Sequence, residues 1–234
     1  MISIHQSQFL PWIPYFFKII KSDIFIIMDD VQFQKNGVQN RNSIKTPSGS
    51  AFLTIPVSTK SDTLINQVSI SNRVHLKKFL KTLQANYGKS KYFNNIFPEI
   101  ENIINSHTSM HLNDLNIELL NMVIKFLGVK TEIKYSSSFS LKSKKDDLVL
   151  DLIVANGENE YITGEGGLEY MDLNKFDLKE IKLYKYSFDY KEYPQLWEKN
   201  GFVPYLSIID LLFNDLPNAY EYIEKSGQIE EIGR

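Results

Sequence analysis

Residues 2–30 read ISIHQSQFLPWIPYFFKIIKSDIFIIMDD, and the order of apolar and polar blocks in this stretch decides the fold. Ile2 to Ile4 is a short apolar run that stops at His5, and polar Gln6, Ser7 and Gln8 follow at once. Pro11 suits the first turn of a helix. Phe16, Phe17, Ile19 and Ile20 give that helix an apolar face as far as about Lys21. Asp23 to Met28 is rich in β-branched and aromatic residues and bounded by acids, as a buried strand is. Strand, helix, strand at this spacing is a βαβ unit, and such units build parallel sheets with right-handed crossovers.

Outward from this unit, residues 30–50, DVQFQKNGVQNRNSIKTPSGS, read as an irregular connection with turn signals at Asn36-Gly37 and Pro47-Ser48-Gly49. Long connections of this kind are often functional. AFLTIPVS (51–58) and INQVSIS (65–71) read as strands that pair antiparallel with each other. From Arg73 to Leu127 the spacing is helical, with stripes Leu76, Phe79, Leu80, Leu83 and Leu112, Leu115, Leu119, Leu120, Val123, Leu127, and Gly128 ends it. The α/β alternation then resumes. TEIKYSSS, EYIT and IKLYKYSF are strands, Asp146 to Ala155 is a helix, and VPYLSIIDLLFN is a late helix. Ser226 to Arg234 reads as a loose tail. The fold class expected is therefore α/β, a mostly parallel Rossmann-like sheet. Residues 1–72 and 129–234 form its core, and 73–128 form a helical insertion or subdomain.

The 234 residues are 43% apolar, with 15 Phe and 13 Tyr, enough for a sizeable core. A net charge of −2 gives no general attraction to nucleic acid or acidic lipid. The absence of Cys excludes disulfides, thiolate zinc sites and a Cys nucleophile. No stretch is long and apolar enough for a membrane span, and the start lacks the basic segment of a signal peptide. A cytoplasmic location is expected.

In parallel α/β sheets ligands bind beyond the carboxyl ends of the strands. Three strands deliver polar or Gly-rich groups there: His5 to Gln8, Asp29-Asp30 and Thr163 to Gly167. His5 titrates near neutrality and can act as a base or hold a ligand, or simply be a hydrogen-bonded strand-end residue. Gln6 and Gln8 add fixed donors and acceptors. Asp29 and Asp30 can serve as a base or bind a sugar hydroxyl, or cap a turn. One His and a carboxylate pair fall short of a metal signature, so no metal is assigned. Arg41 can fork a phosphate or carboxylate, Lys45 adds a point charge, and Asn40 and Asn42 can bond hydroxyls; a solvated loop is the bland alternative. Gly164 opens a TGEGG turn that can approach an anion, though it is neither a Walker loop nor GxGxxG. Tyr193 and Gln195, around Pro194, can place a phenol and an amide in a cleft. Ser207 and Asp210 have capping-box spacing. His75, His107 and His111 lie in the helical block and are expected at the surface.

Taken together, ISIHQSQFLPWIPYFFKI, DIFIIMDDVQFQKNGVQNRNSIKTPSG, LTIPV, EYITGEGGLEYMD, YPQL and FVPYLSIIDLLFN resemble the WbqC-like family of bacterial proteins, over residues 2 to about 214. Ser7 and Pro14 stand where the family pattern usually has Pro and often Gly. The resemblance implies a role in O-antigen or other surface-polysaccharide biosynthesis. It also marks His5, Gln6, Asp29, Asp30, Gln32, Asn40, Arg41, Asn42, Lys45, Gly164, Tyr193, Gln195, Ser207, Asp210 and Asn214 as the family's polar positions. The expected activity is that of a transferase modifying a nucleotide-activated amino sugar. His5, Asp29 and Asp30 are its catalytic candidates; Gln6, Gln8, Gln32, Asn40, Arg41, Asn42, Lys45, Gly164, Tyr193 and Gln195 bind substrate. The co-substrate is a nucleotide or an activated acyl or aminoacyl donor. A strand-end His in a βαβ unit also resembles HIGH-type nucleotidylyltransferases, with Gln8 where their second His stands. The third alternative is a non-catalytic binding protein of a glycan assembly pathway.

Overall fold

A computed structural model describes residues 1–169 and 171–233. Its centre is built by the opening βαβ unit: β1 (Ile2–Gln6), α1 (Ile13–Ile20) and β2 (Ile24–Met28). The two strands run parallel with Ile2 beside Ile24 and His5 beside Ile27. Pro14 sits in the first turn of α1, and Ile13, Tyr15, Phe16, Phe17 and Ile19 are buried beneath it. A helix apolar on so many positions is a core helix, not a surface one.

Next along the chain come β3 (Arg41–Thr46), β4 (Gly49–Thr54), β5 (Val57–Ser58) and β6 (Ser69–Ile70). The helical block is α2 (Val74–Tyr87), α3 (Phe93–Ser106) and α4 (Leu112–Leu127). The chain continues with β7 (Glu132–Tyr135), α5 (Lys145–Ala155), β8 (Glu160–Thr163), α6 (Glu165–Leu168), α7 (Leu173–Asp177) and β9 (Lys182–Phe188). It closes with α8 (Ile208–Asp215), α9 (Ala219–Ser226) and β10 (Gly227–Glu231). Gly128 takes the left-handed conformation, φ 66° and ψ 24°, that ends α4.

The main sheet has the order β10-β9-β8-β1-β2-β7, parallel except for the antiparallel edge strand β10. From β1 the chain goes to β2 and then β7 on one side, and afterwards to β8 and β9 on the other. The order therefore reverses between β1 and β8, where doubly wound sheets bind ligands. One apolar cluster, with α1, α2–α4 and α8, covers one face; a second, with α5 and Phe176, covers the other.

Several expectations are corrected. Residues 41–50 are not irregular: β3 and β4 form an antiparallel hairpin, with Arg41 beside Thr54 and Thr46 beside Gly49. The polarity of RNSIKT hid a strand because polar Asn42 and Lys45 are buried in it alongside Ile44, between partly buried neighbours. Residues 51–54 pair with β3, so only β5 with β6 keeps the expected antiparallel partnership. The late helix starts at Ile208, and residues 203–207 stay outside it. The tail is not loose, since Gly227–Glu231 pairs with β9 as an edge strand. Gly227 lets the chain cross Phe17, whose ring would lie 2.3 Å from a Cβ there. His107 is buried rather than superficial and bonds Glu118 at 3.1 Å.

Candidate functional site

The carboxyl ends of β8, β1 and β2 are neighbours, so the three polar strand ends read from the sequence come to one edge of the sheet. His5 lies at the reversal point, half-buried. Its ring packs edge-on against Tyr15, with centroids 4.9 Å apart. Nδ1 is 3.3 Å from the Gln6 carbonyl and 3.3 Å from Gln8 Nε2. Residues 5 and 8 are thus in contact, as their spacing suggests. Gln6 Oε1 accepts from Gln39 Nε2 at 2.8 Å, and the Tyr15 hydroxyl donates to the Gln6 carbonyl at 3.4 Å.

Behind His5 stands a residue that the sequence reading passed over. Lys18 looked like one polar break in an apolar helix. It is buried, donates to the Ile4 carbonyl at 2.8 Å, and lies 6.0 Å from the Phe25 ring centroid. Burial pushes its pKa down to about 7. Burial first, and then the Lys18 charge, push the His5 pKa down to about 3, against a smaller opposing pull from the Gln6 carbonyl. His5 is consequently a free base at neutral pH. The signal available in sequence was a Lys spaced to fall on the apolar face of α1, which a buried helix rarely tolerates without a role.

Asp29 and Asp30 are held differently. Asp29 is buried, and its carboxylate accepts from the Ser137 N–H at 3.0 Å and the Ser137 hydroxyl at 2.9 Å. The Ser136 hydroxyl lies 3.2 Å from the same carboxylate and also contacts Asp30. The pair binds the end of β2 to the turn that follows β7. Gln32 donates to Asp62 at 3.0 Å on the surface. Asn40 and Asn42 are buried and donate to the carbonyls of Ile55 and Leu10, at 3.0 and 2.8 Å. Arg41 donates to the Asn36 carbonyl and stacks 4.4 Å above the Phe52 ring. Gly164 leaves room for Tyr186, whose Cε1 would lie 3.0 Å from an added Cβ; TGEGG runs into the short α6 instead of a bare turn.

Lys45, Tyr193 and Gln195 meet in a second cluster, around Asp210. Asp210 is fully buried and accepts from Tyr87 at 2.8 Å, Tyr193 at 2.8 Å and Gln195 at 2.9 Å. Lys45 donates from Nζ to the Gly201 carbonyl at 2.6 Å and from its backbone to the Tyr87 hydroxyl at 3.0 Å. Burial raises the pKa of Asp210, and the three donors and Lys45 counter that. Ser207 caps α8 at the Ile209 N–H, 3.3 Å away, but Asp210 is not its capping-box partner. The box spacing is right, yet the carboxylate turns inward to the phenols instead of back to the cap. Asn214 donates to the Asp210 carbonyl at 2.8 Å, one turn on.

Among the described residues no group of three or more His, Asp or Glu is placed to hold a metal ion. Two surface clefts, of about 410 and 300 Å³, lie elsewhere, one beside Asp23 and Thr131 and one beside Ser187 and Lys225. The first is at the amino ends of β2 and β7, opposite His5, so size does not mark the site here. No described helix is long and apolar enough to cross a membrane.

No solved structure matches the chain. It is 33% identical over 225 residues to the uncharacterized protein Rv1507c of Mycobacterium tuberculosis, covering 95% of this chain and 96% of that one. The model of the WbqC-like protein family matches residues 6–222, which include Gln6, Gln8, Lys18 and the Asp210 cluster, and the chain belongs to that family.

Proposed function

We propose that the protein is a cytoplasmic transferase that modifies the amine of a nucleotide-activated amino sugar, in bacterial surface-polysaccharide synthesis. The observation that carries this reading is His5. It is an uncharged, mostly buried imidazole at the point where strand order reverses between β1 and β8. An uncharged imidazole at that place can accept a hydrogen bond from an acceptor amine and hold it in position as the amine attacks an acyl or aminoacyl donor and the donor's carrier departs. Gln6 and Gln8 orient the acceptor. Arg41 and Lys45 donate to the carbonyls of Asn36 and Gly201, so in this reading residues 163–165 after β8 supply the phosphate contacts. Asp29 and Asp30 act by fixing the sheet edge. The reading takes 1–72 and 129–234 as the catalytic core and 73–128 as the helical insertion.

A thermal-shift series with nucleotide-sugars, nucleotides and acyl donors tests it. A ligand at 100 times its dissociation constant stabilises a fold by about 2.7 kcal/mol. That is expected to raise the melting point by several degrees in a chain of this size. If no nucleotide-containing compound raises it, the reading fails.

A second reading, nucleotidyl transfer, draws on the contact between Gln8 and His5, which occupy the two His positions of a HIGH-like loop. It predicts magnesium-dependent exchange of pyrophosphate into ATP or CTP, which the first reading does not.

A further inference from the structure

The net charge of −2 hides an uneven distribution. Residues 31–98 hold ten Lys and Arg against one acid, Asp62, while the rest of the chain holds 16 against 27. From Thr63 to Pro98 there is no acid at all. This segment runs from just after β2 through the hairpins and α2 into α3. Among the described residues, no ion pair involves it. Elsewhere Lys21, Lys134, Lys175, Lys185 and Lys225 each have an acidic partner.

Helix α2 carries the centre of this charge. Leu76, Phe79, Leu83 and Tyr87 bury one side of it. Val74, Lys77, Lys78 and Lys81 are exposed and stand three and four residues apart, so they form one patch on the other side. Among the described residues the three lysines have neither a hydrogen-bond acceptor nor an ion-pair partner. Glu99 and Glu101 are exposed on the neighbouring α3 and pair with none of them. Val74, 58% exposed, is the apolar member of the patch.

Like charges at this spacing weaken a helix, and nothing within the fold offsets them here. An extended anionic surface would do so. It would also turn the acidic remainder of the molecule away and so orient it. A bilayer of anionic phospholipid is such a surface, and each lysine close to one is worth about a fivefold gain in affinity. An exposed apolar side chain among the lysines adds burial in the headgroup layer. Nucleic acid is the other large anion, but it is read by guanidinium forks and stacking rings. The patch supplies neither, since Arg73 beside it is turned to the carbonyls of His107 and Thr108.

We propose that the exposed side of α2, around Lys77, Lys78 and Lys81, docks the protein on an anionic phospholipid surface, with Val74 entering the headgroup layer. The proposal goes beyond the transfer reaction and does not depend on it.

The test is co-sedimentation of the full chain with two kinds of vesicle, one of phosphatidylcholine alone and one of phosphatidylcholine and phosphatidylglycerol in equal parts. Binding is expected to the anionic vesicles and not to the neutral ones. Raising NaCl from about 0.1 M to about 1 M, which shortens the Debye length from about 10 Å to about 3 Å, is expected to release the protein. Lys77→Gln, Lys78→Gln and Lys81→Gln made together are expected to weaken binding about 100-fold, about fivefold for each charge. Lys142→Gln, Lys144→Gln and Lys179→Gln together remove the same charge at exposed positions outside 31–98 and are expected to change binding far less. Equal weakening by the two triple variants, or equal binding to the two kinds of vesicle, overturns the proposal. So does patch-dependent binding to a DNA duplex with none to the anionic vesicles, which would assign the patch to nucleic acid.

Discussion

Two buried polar clusters lie on either side of residues 9–12, and they are finished to different degrees. Around Asp210, two phenols and an amide donate to one carboxylate, and the Gln195 amide also pairs both ways with Val203. None of these side chains leaves a buried atom unpartnered. Around His5, amide oxygens remain without donors, and a buried lysine has a single carbonyl for its three N–H bonds. A completed network holds elements together: here β3, α2, α8 and the segment before α8. An incomplete one costs stability and survives where something else completes it. The difference fits a structural part for Asp210 and, in the function proposed above, a ligand-facing part for His5.

Substitutions can break this contrast. The first effect expected is on turnover. If the proposed transfer is right, His5→Ala should lower its rate about tenfold or more through the lost hydrogen bond while leaving the melting point close to that of the parent. An equal loss of stability would place His5 with Asp210. Asp210→Ala should do the reverse, costing about 3–5 kcal/mol in urea unfolding because buried donors lose their acceptor. Folded Asp210→Ala protein should keep its ligand affinity.

Lys18 sharpens the contrast through pH. Its folded pKa is about 7 against 10.5 when unfolded, so between these values the unfolded chain holds the proton and the native state does not. Stability should therefore rise with pH from 7 upward in the parent, and that rise should flatten in Lys18→Met, as read from urea midpoints. The smallest effect expected is from Ser137→Ala. It removes one of several donors to Asp29 and should cost about 1 kcal/mol without changing turnover.

The centre of the sheet was legible because β1, β2 and β8 are largely buried and read as apolar runs, as with Ile24–Met28. The hairpin at 41–54 was not, since a half-polar strand such as RNSIKT has no run to see and its partner is set by tertiary packing. β10 was missed for the same reason: GQIEE is mostly exposed and owes its place to pairing with β9. His5, Gln6 and Gln8 were legible as a candidate site because they stand at and just beyond the carboxyl end of β1. Lys45, Tyr193 and Gln195 were read as substrate-binding positions, and only three-dimensional contact shows that they surround Asp210. Gln39 and Asn116 were invisible because nothing local tells which amide is buried, whereas Lys18 was missed although its spacing places it on the apolar face of α1.

The central claim is that His5 is an uncharged base beside an incomplete network, and one measurement meets it directly. The His5 ring carbon–proton signals can be followed by NMR from pH 8 to pH 4. The account predicts that they stay at the neutral-imidazole position throughout, since the pKa is pushed down to about 3 from 6.5, and that Lys18→Met moves any onset of titration upward. A His5 midpoint between pH 6 and 7 in the parent protein would contradict it.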